Sequence, residues 1–373
     1  MATINKRIVL RERPEADINP SLQNGTFALK EEPVPSSLGA DEVLVKVLYV
    51  SLDPAMRGWL RDVRSYLPPV QIDEVMRAAA VGQVLKSNSS SYKEGDYVTG
   101  RLNWQEYAVV PSKFIQKIDV FPRVHVEDFL GVLGSSGQTA YWGVKDVIGG
   151  LKKDEIVVVT GAAGSVGSIV VQIAKIAGAR VVAVAGGQAK CDWLKNDLGA
   201  DYALDYKAEG FMPKYKKLLK ELGFVDACFE NVGGELLDVT LSLCKPHARV
   251  ALCGAISSYN DPNPRGLQNY MSLIGMRIKL QGFIVLDYQD RYGEAAAEMS
   301  KWIQSGQLKT YTTGKHSIRD ASPASKKNVN RLTFSSIRFF PTTVVEGGVE
   351  RAPSALVDLF AGANKGKMLC KIA

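Results

Sequence analysis

Three glycines at three-residue intervals, Gly161, Gly164 and Gly167, stand where a β-branched run gives way to a helical pattern. Glycine there lets the backbone turn tightly and lets a pyrophosphate reach the amides at the start of the helix, where the helix dipole favours negative charge. Alone, such a triplet is a weak signal, because many strand-to-helix turns use glycine only for packing. Its setting strengthens it. Segment 156–160 is short and β-branched throughout, as a strand buried on both faces of a parallel sheet requires. After the turn Ile169, Val170, Ile173, Ala174 and Ala177 recur at helical spacing, Gly178 ends the helix, and 181–185 is a second apolar strand. Strand, glycine turn, helix and strand together predict a dinucleotide site.

The end of the second strand bears on which dinucleotide. An NAD site usually offers a carboxylate there to the adenosine ribose, but this chain reads Ala185-Gly186-Gly187-Gln188-Ala189-Lys190. Nothing in that stretch repels a 2'-phosphate, and Lys190 can meet one. NADP(H) is the expected cofactor, although a lysine at a helix start is also what an ordinary solvated surface supplies.

The elements that must hold this site fill 373 residues, a length that suits two domains. No apolar run is long enough to cross a bilayer, and the N-terminal residues lack the apolar core of a signal peptide, so a cytoplasmic location is expected. Five cysteines and three histidines are scattered singly, with no spacing that suits a structural zinc knuckle or a catalytic zinc. No metal is expected. The net charge of +7 is concentrated: segment 316–342 carries Arg319, Lys326, Lys327, Arg331 and Arg338 against Asp320 alone. What is left suits an enzyme that binds phosphate and argues against a nucleic-acid partner.

Along the chain, residues 1 to about 135 read as β-rich. Strand patterns at 7–10, 27–29, 42–50, 78–85, 95–100 and 104–110 alternate with Pro and Gly turns, as in a small barrel-like domain. Between them Ser51-Leu-Asp-Pro-Ala-Met-Arg-Gly-Trp59 reads either as a loop packed by Met56 and Trp59 or as part of a substrate pocket facing the second domain. From 156 onward strands (156–160, 181–185, 202–204, 225–229, 248–253, 278–284) alternate with helices (to 177, then 189–198, 213–222 and 234–243). That order predicts an α/β fold, a doubly wound parallel sheet with helices on both faces. A further helix at 292–303 leads out of it.

Several motifs then coincide: Leu52-Asp-Pro-Ala-Met-Arg57, Gly137-Gln-Thr-Ala-Tyr141, Gly161-Ala-Ala-Gly-Ser-Val-Gly167, Tyr206-Lys207, Glu230-Asn-Val-Gly-Gly234, Cys253-Gly-Ala-Ile-Ser-Ser-Tyr-Asn260, Gln281-Gly-Phe-Ile-Val285 and Gly362-Ala-Asn-Lys-Gly-Lys367. With them, nearly the whole chain resembles the zinc-independent medium-chain dehydrogenase/reductases, in the branch of leukotriene B4 dehydrogenase, prostaglandin reductase and alkenal double-bond reductase. The resemblance implies a Rossmann domain at about 136–304 and a GroES-like catalytic domain from 1–135 and 305–373. It also implies a homodimer, no membrane association, and NADPH-dependent reduction of the C=C bond of small α,β-unsaturated aldehydes and ketones. A quinone reductase or a pathway-specific enoyl reductase is the alternative among enzymes of this fold, and a catalytically silent NADPH-binding protein the alternative of another functional class.

Residue by residue, the resemblance gives Lys190 and Tyr206, with Gly186 beside them, to the 2'-phosphate, and the amides around Gly164, Ser165 and Val166 to the pyrophosphate. Thr139, Asn231 and the backbone near Phe283 and Val285 would frame the nicotinamide and its ribose, with Asn364 reaching in from the other domain. Tyr259 matches the active-site tyrosine, and Tyr49, Met56 and Arg57 join it as candidate pocket residues. An enone needs no Lewis acid at the carbon that accepts hydride, because conjugation already makes its β-carbon electrophilic. A hydroxyl donor on the carbonyl oxygen, Tyr259, is then enough. Two departures stand out. Ala55 occupies the place of a second family tyrosine, which reshapes the expected pocket. Segment 316–342 interrupts an otherwise family-like sequence and reads either as a translated intron, which the clean joining of its flanks favours, or as a surface insertion.

Overall fold

A computed structural model describes residues 3–121, 124–310 and 342–373, so segment 316–342 lies outside the described residues except for Thr342. The N-terminal part gives β1 (Ile4–Leu10), β2 (Phe27–Pro33), β3 (Glu42–Leu52), the one-turn helix α1 (Met56–Trp59), β4 (Ala79–Ser87), β5 (Tyr97–Arg101), β6 (Tyr107–Pro111) and β7 (Ile115–Lys117). Helix α2 (Ser135–Trp142) leads into β8 (Ile156–Val159), α3 (Ser165–Ile176), β9 (Arg180–Ala185), α4 (Gln188–Asn196), β10 (Tyr202–Asp205), α5 (Phe211–Glu221), β11 (Val225–Glu230), α6 (Gly234–Ser242) and β12 (Cys244–Leu252). Then come α7 (Met271–Gly275), β13 (Lys279–Gly282), α8 (Tyr292–Ser305), β14 (Thr343–Val345), α9 (Ala352–Phe360) and β15 (Met368–Lys371).

The alternating part is a six-stranded parallel sheet in the order β10-β9-β8-β11-β12-β13. Its strands are apolar on both sides because both sides are covered. Val157 and Val159 of β8, with Val181 and Ala183 of β9, pack against residues of α2, α3 and α8. Ile156, Val158, Val182 and Val184 point the other way, onto Tyr215, Leu219, Leu237 and Leu241 of α5 and α6. Successive side chains of a strand face opposite ways, so this split is what two-sided burial demands.

The second sheet has the order β14-β15-β3-β4-β5-β7, with β6 also paired to β3, and β1 and β2 form a separate antiparallel pair. Its long central strand β3 pairs antiparallel with β15 near the end of the chain. Beneath that junction Lys367, only 2 % exposed, ion-pairs with Asp53 and donates to the Leu52 carbonyl at 3.3 Å. Ser51 donates to the same carboxylate. The 52–57 turn is thereby fixed to the C-terminal strand.

Met56, a candidate for the pocket, has no exposed surface and belongs to the core of this sheet together with Val50, Leu60, Trp104 and Leu356. The packed-loop reading holds for this residue. Met56→Leu is volume-conserving and is expected to cost under about 1.5 kcal/mol in urea unfolding while leaving the substrate KM unchanged.

Candidate active site

At the glycine turn the backbone allows little but glycine. Gly161 has φ of 56°, in the left-handed region that side chains avoid. A Cβ on Gly167 would stand 2.4 Å from the Gly161 carbonyl oxygen and 2.8 Å from the Ala162 Cα. The first turn of α3 is therefore pressed onto the loop before it, with Gly164 at its N-cap. Ser165 and Val166 open the helix, and the Ser165 hydroxyl donates to that of Ser136 at 2.7 Å. This cradle has the shape and polarity that a pyrophosphate requires.

The far end of the chain comes to the same place. Gly366 donates its N–H to the Ala163 carbonyl at 2.8 Å and bridges Gly164. Asn364, 7 % exposed, donates from Nδ2 to the Gly366 carbonyl at 2.8 Å. Both residues are carried by the segment that ends in β15, so the cradle is completed from the other sheet.

At the β9 end, Gly186 lies under Tyr206: a Cβ there would be 2.8 Å from the tyrosine ring. The Lys190 ammonium donates to the Gly362 carbonyl at 2.7 Å. Its pKa is held below the usual lysine value, first by burial and then by the charges of Lys207 and Lys365. Asp205 Oδ1 accepts the N–H groups of Gly187 at 2.7 Å and Lys207 at 2.9 Å. It shapes the loop from the end of β10.

Asn231 sits over the glycine turn, its Cβ 3.3 Å from where a Gly161 Cβ would be. Its side chain donates to the Thr160 carbonyl at 2.7 Å and its backbone to Thr160 Oγ1 at 2.9 Å. Glu230, fully buried, accepts from Thr160 Oγ1 at 2.9 Å and from the backbone of Val232 at 2.6 Å and Gly233 at 2.7 Å. Burial raises its carboxyl pKa against these donors. Thr139 Oγ1 donates to the Ser135 carbonyl at 2.8 Å within α2. The Phe283 ring turns inward onto Phe229, and the Val285 carbonyl accepts the Tyr292 hydroxyl at 3.0 Å.

Tyr259 follows a short 3-10 turn after β12. Its side chain folds back so that its oxygen accepts the Ala255 N–H at 3.1 Å. Among the described residues no acceptor holds the hydroxyl proton. Burial raises the phenol pKa, the Ala255 N–H opposes it, and Tyr66 is one of the groups close enough to contribute.

Two arginines, Arg57 on α1 and Arg61 just after it, hold this loop. Arg61 donates to the Tyr259 carbonyl at 2.7 Å, and Arg57 Nε to Asn260 Oδ1 at 2.9 Å. Asn260 in turn donates to Asp17 at 2.9 Å. Arg57 has no exposed surface and also donates to the carbonyls of Pro14, Glu15 and Ala16. Its place is a brace behind Tyr259 rather than an open pocket wall. Tyr49 packs with Val81, Val126, Leu130 and Leu369, where burial and Glu127 raise its pKa. Those surroundings differ from the group around Tyr259.

The candidates thus fall along one path: Lys190, Gly186 and Tyr206 at one end, the glycine turn with Asn364 and Asn231 in the middle, and Tyr259 where β12 ends. Reading the sequence missed Arg61, Lys207 and Lys365 as members of this group, and left Glu230 without a role although its motif was noticed. Lys365 had a signal, since it directly follows Asn364. Among the described residues no three His, Cys, Asp or Glu side chains come together as a metal-binding group.

Residues 6–118 match the model of the N-terminal domain of oxidoreductases, and residues 165–301 that of the zinc-binding dehydrogenases. The chain is 36 % identical to the NADPH-dependent curcumin reductase of Escherichia coli, over 99 % of this chain and 97 % of that protein. It is 34 % identical to the NADP(+)-dependent 2-alkenal reductase of Nicotiana tabacum, over 99 % and 98 %. The crystal structure of CurA in complex with NADPH from Vibrio vulnificus superposes with a TM-score of 0.83 at 35 % identity, covering 99 % of both chains. With relatives this similar over 99 % of its length, the chain is an oxidoreductase of the zinc-independent medium-chain dehydrogenase/reductase family.

Proposed function

We propose that the protein reduces the C=C bond of α,β-unsaturated aldehydes and ketones with NADPH. The observation that carries this is the Tyr259 hydroxyl, whose oxygen is engaged by the Ala255 N–H while its proton remains to be given. The relatives with NADPH-dependent and 2-alkenal reductase names support the same reading. The cradle of Gly161, Gly164 and Gly167 fits a pyrophosphate, and Lys190 with Tyr206 fits a 2'-phosphate. When bound, NADPH supplies the hydride for the β-carbon.

The residues of the chain hold the enolate that results, and a proton from water then completes the α-carbon. Tyr259, kept protonated by its raised pKa, donates to the carbonyl oxygen as enolate charge develops there. The Ala255 N–H shares the charge that shifts onto the phenol oxygen. Arg61 and the Arg57–Asn260 pair fix the loop, so the donor is aimed before substrate arrives. Asn231, tied to Thr160, and Asn364, tied to Gly366, hold the glycine turn in register with the segment that crosses to it from the other sheet.

The test is nicotinamide oxidation with a panel of 2-alkenals and enones, run beside quinones and beside NADH. Enone-dependent oxidation that prefers NADPH is expected. Turnover confined to quinones, or none despite NADPH binding, would defeat the reading.

A homodimer accords with the exposed edge. Among the described residues strand β13 ends the parallel sheet with an unpaired side, and Tyr270, Met271 and Ile274 just before it are 55, 59 and 67 % exposed. An apolar patch beside an open strand edge is what a second copy would cover. Ile274→Glu is expected to shift the sedimentation coefficient from dimer toward monomer. The five cysteines are all free thiols, which suits a reducing cytoplasm.

A further inference from the structure

Three lysines meet at the β9 end of the cleft. Lys190 comes from α4, Lys207 from the turn after β10, and Lys365 from the segment between α9 and β15. The last two are close enough to Lys190 to depress its pKa after burial has done so. Among the described ion pairs none includes any of the three. Asp205 at this loop is turned to the backbone N–H groups of Gly187 and Lys207; like charges gathered without an ion-pair partner repel one another, and an anion placed among them relieves it.

The position of Lys365 is fixed by its surroundings. Its N–H donates to Thr343 Oγ1 at 3.2 Å, and the next residue, Gly366, is bonded to Ala163 in the glycine turn. Its ammonium lies 5.0 Å from the centre of the Trp193 ring. Trp193 is three residues beyond Lys190 on α4, so the two side chains occupy one face of that helix. Opposite them the Tyr206 ring, half exposed, lies on Gly186, with the Lys207 ammonium 6.0 Å from it. The acceptor that Lys190 now uses, the Gly362 carbonyl, belongs to the segment that carries Lys365.

We propose that Lys365 is a third cation for the 2'-phosphate of NADP(H), reaching across from the barrel sheet, and that it helps select NADP(H) over NAD(H). This rests on the NADPH reading of the site and extends it to a residue outside the nucleotide-binding sheet. It also joins recognition of the 2'-phosphate to the placement of Asn364, the neighbouring residue, at the glycine turn.

The experiment is equilibrium binding of 2',5'-ADP and of 5'-AMP to the full chain by calorimetry, at several salt concentrations. Lys365→Met keeps the side-chain stem on Trp193 and removes the charge; Lys365→Gln is a second neutral variant in case the first misfolds, and Lys365→Arg is the conservative one. Both neutral variants are expected to bind 2',5'-ADP about tenfold more weakly, the loss of one hydrogen bond to a charged group. They should bind 5'-AMP as before and show a shallower salt dependence. Lys365→Arg should bind both ligands nearly as the natural chain does. Unchanged 2',5'-ADP affinity in the neutral variants overturns the proposal, and so does an equal loss for both ligands, which marks a structural role. Because no reducible substrate is present, either failure leaves the enone reading intact. A natural chain that does not distinguish 2',5'-ADP from 5'-AMP overturns the NADPH reading and the role of Lys365 with it.

Discussion

Tyr259→Phe lowers kcat about a hundredfold, the effect of removing one donor to a developing oxyanion, and leaves the KM for NADPH unchanged. The ring stays, and with it the packing of the loop, because Arg61 holds the residue 259 carbonyl and Arg57 holds Asn260. What goes is the hydroxyl that Ala255 donates to and that would donate onward. Steady-state kinetics with a good enone, beside fluorescence titration of NADPH, checks both halves. Wild-type turnover in the variant would remove Tyr259 from the chemistry. The raised phenol pKa adds a second expectation. The tyrosine is protonated below its folded pKa and fails as a donor only as pH rises through that value, so kcat should show no alkaline limb from this group below the usual tyrosine range.

Lys190→Ala raises the KM for NADPH roughly ten- to hundredfold and leaves that for NADH where it was. A charge-assisted hydrogen bond to phosphate is worth about 1.5–3 kcal/mol, and about 1.4 kcal/mol corresponds to tenfold in affinity. NADH has no 2'-phosphate to lose. An equal rise for both cofactors would mean instead that the bond from Lys190 to Gly362 serves only to hold the C-terminal segment. The same lysine predicts a pH effect. It is charged below its pKa, and that pKa is depressed; the KM for NADPH should therefore begin to rise on the alkaline side earlier than an ordinary lysine would cause, and Lys190→Ala should abolish that rise.

The parts of this protein that could be read from the sequence are those whose signal is local. Strand β8, the glycine turn, α3 and β9 lie in one stretch of some thirty residues, and each leaves a period or a residue type behind. Contacts between distant segments leave none. The bond from Arg61 to Tyr259 spans 198 positions and that from Lys190 to Gly362 spans 172, so only the folded topology could bring those partners together. Tyr206, Asn231 and Asn364 came from family resemblance alone. Met56 stays open to two readings in the sequence, because an apolar residue in a loop carries no sign of which way it faces. The β3–β4 register shifts between Val47 and Tyr49, so counting alternate residues along the strand does not give the face on which Tyr49 lies.

The pairing of β3 with β15 also governs when the barrel sheet can close on the ribosome. Lys367 and the Leu52 carbonyl that it bonds are 315 residues apart, so the middle strand of the barrel sheet emerges early and waits for almost all the rest of the chain. Pairings this remote close late, after their entropy cost has been met by little else. The strand that arrives last is continuous with Asn364, Lys365 and Gly366. A ribosome-bound chain therefore exposes a half-built barrel, and from the glycine turn onward an unfinished cofactor cradle as well, until the one segment that closes both has emerged.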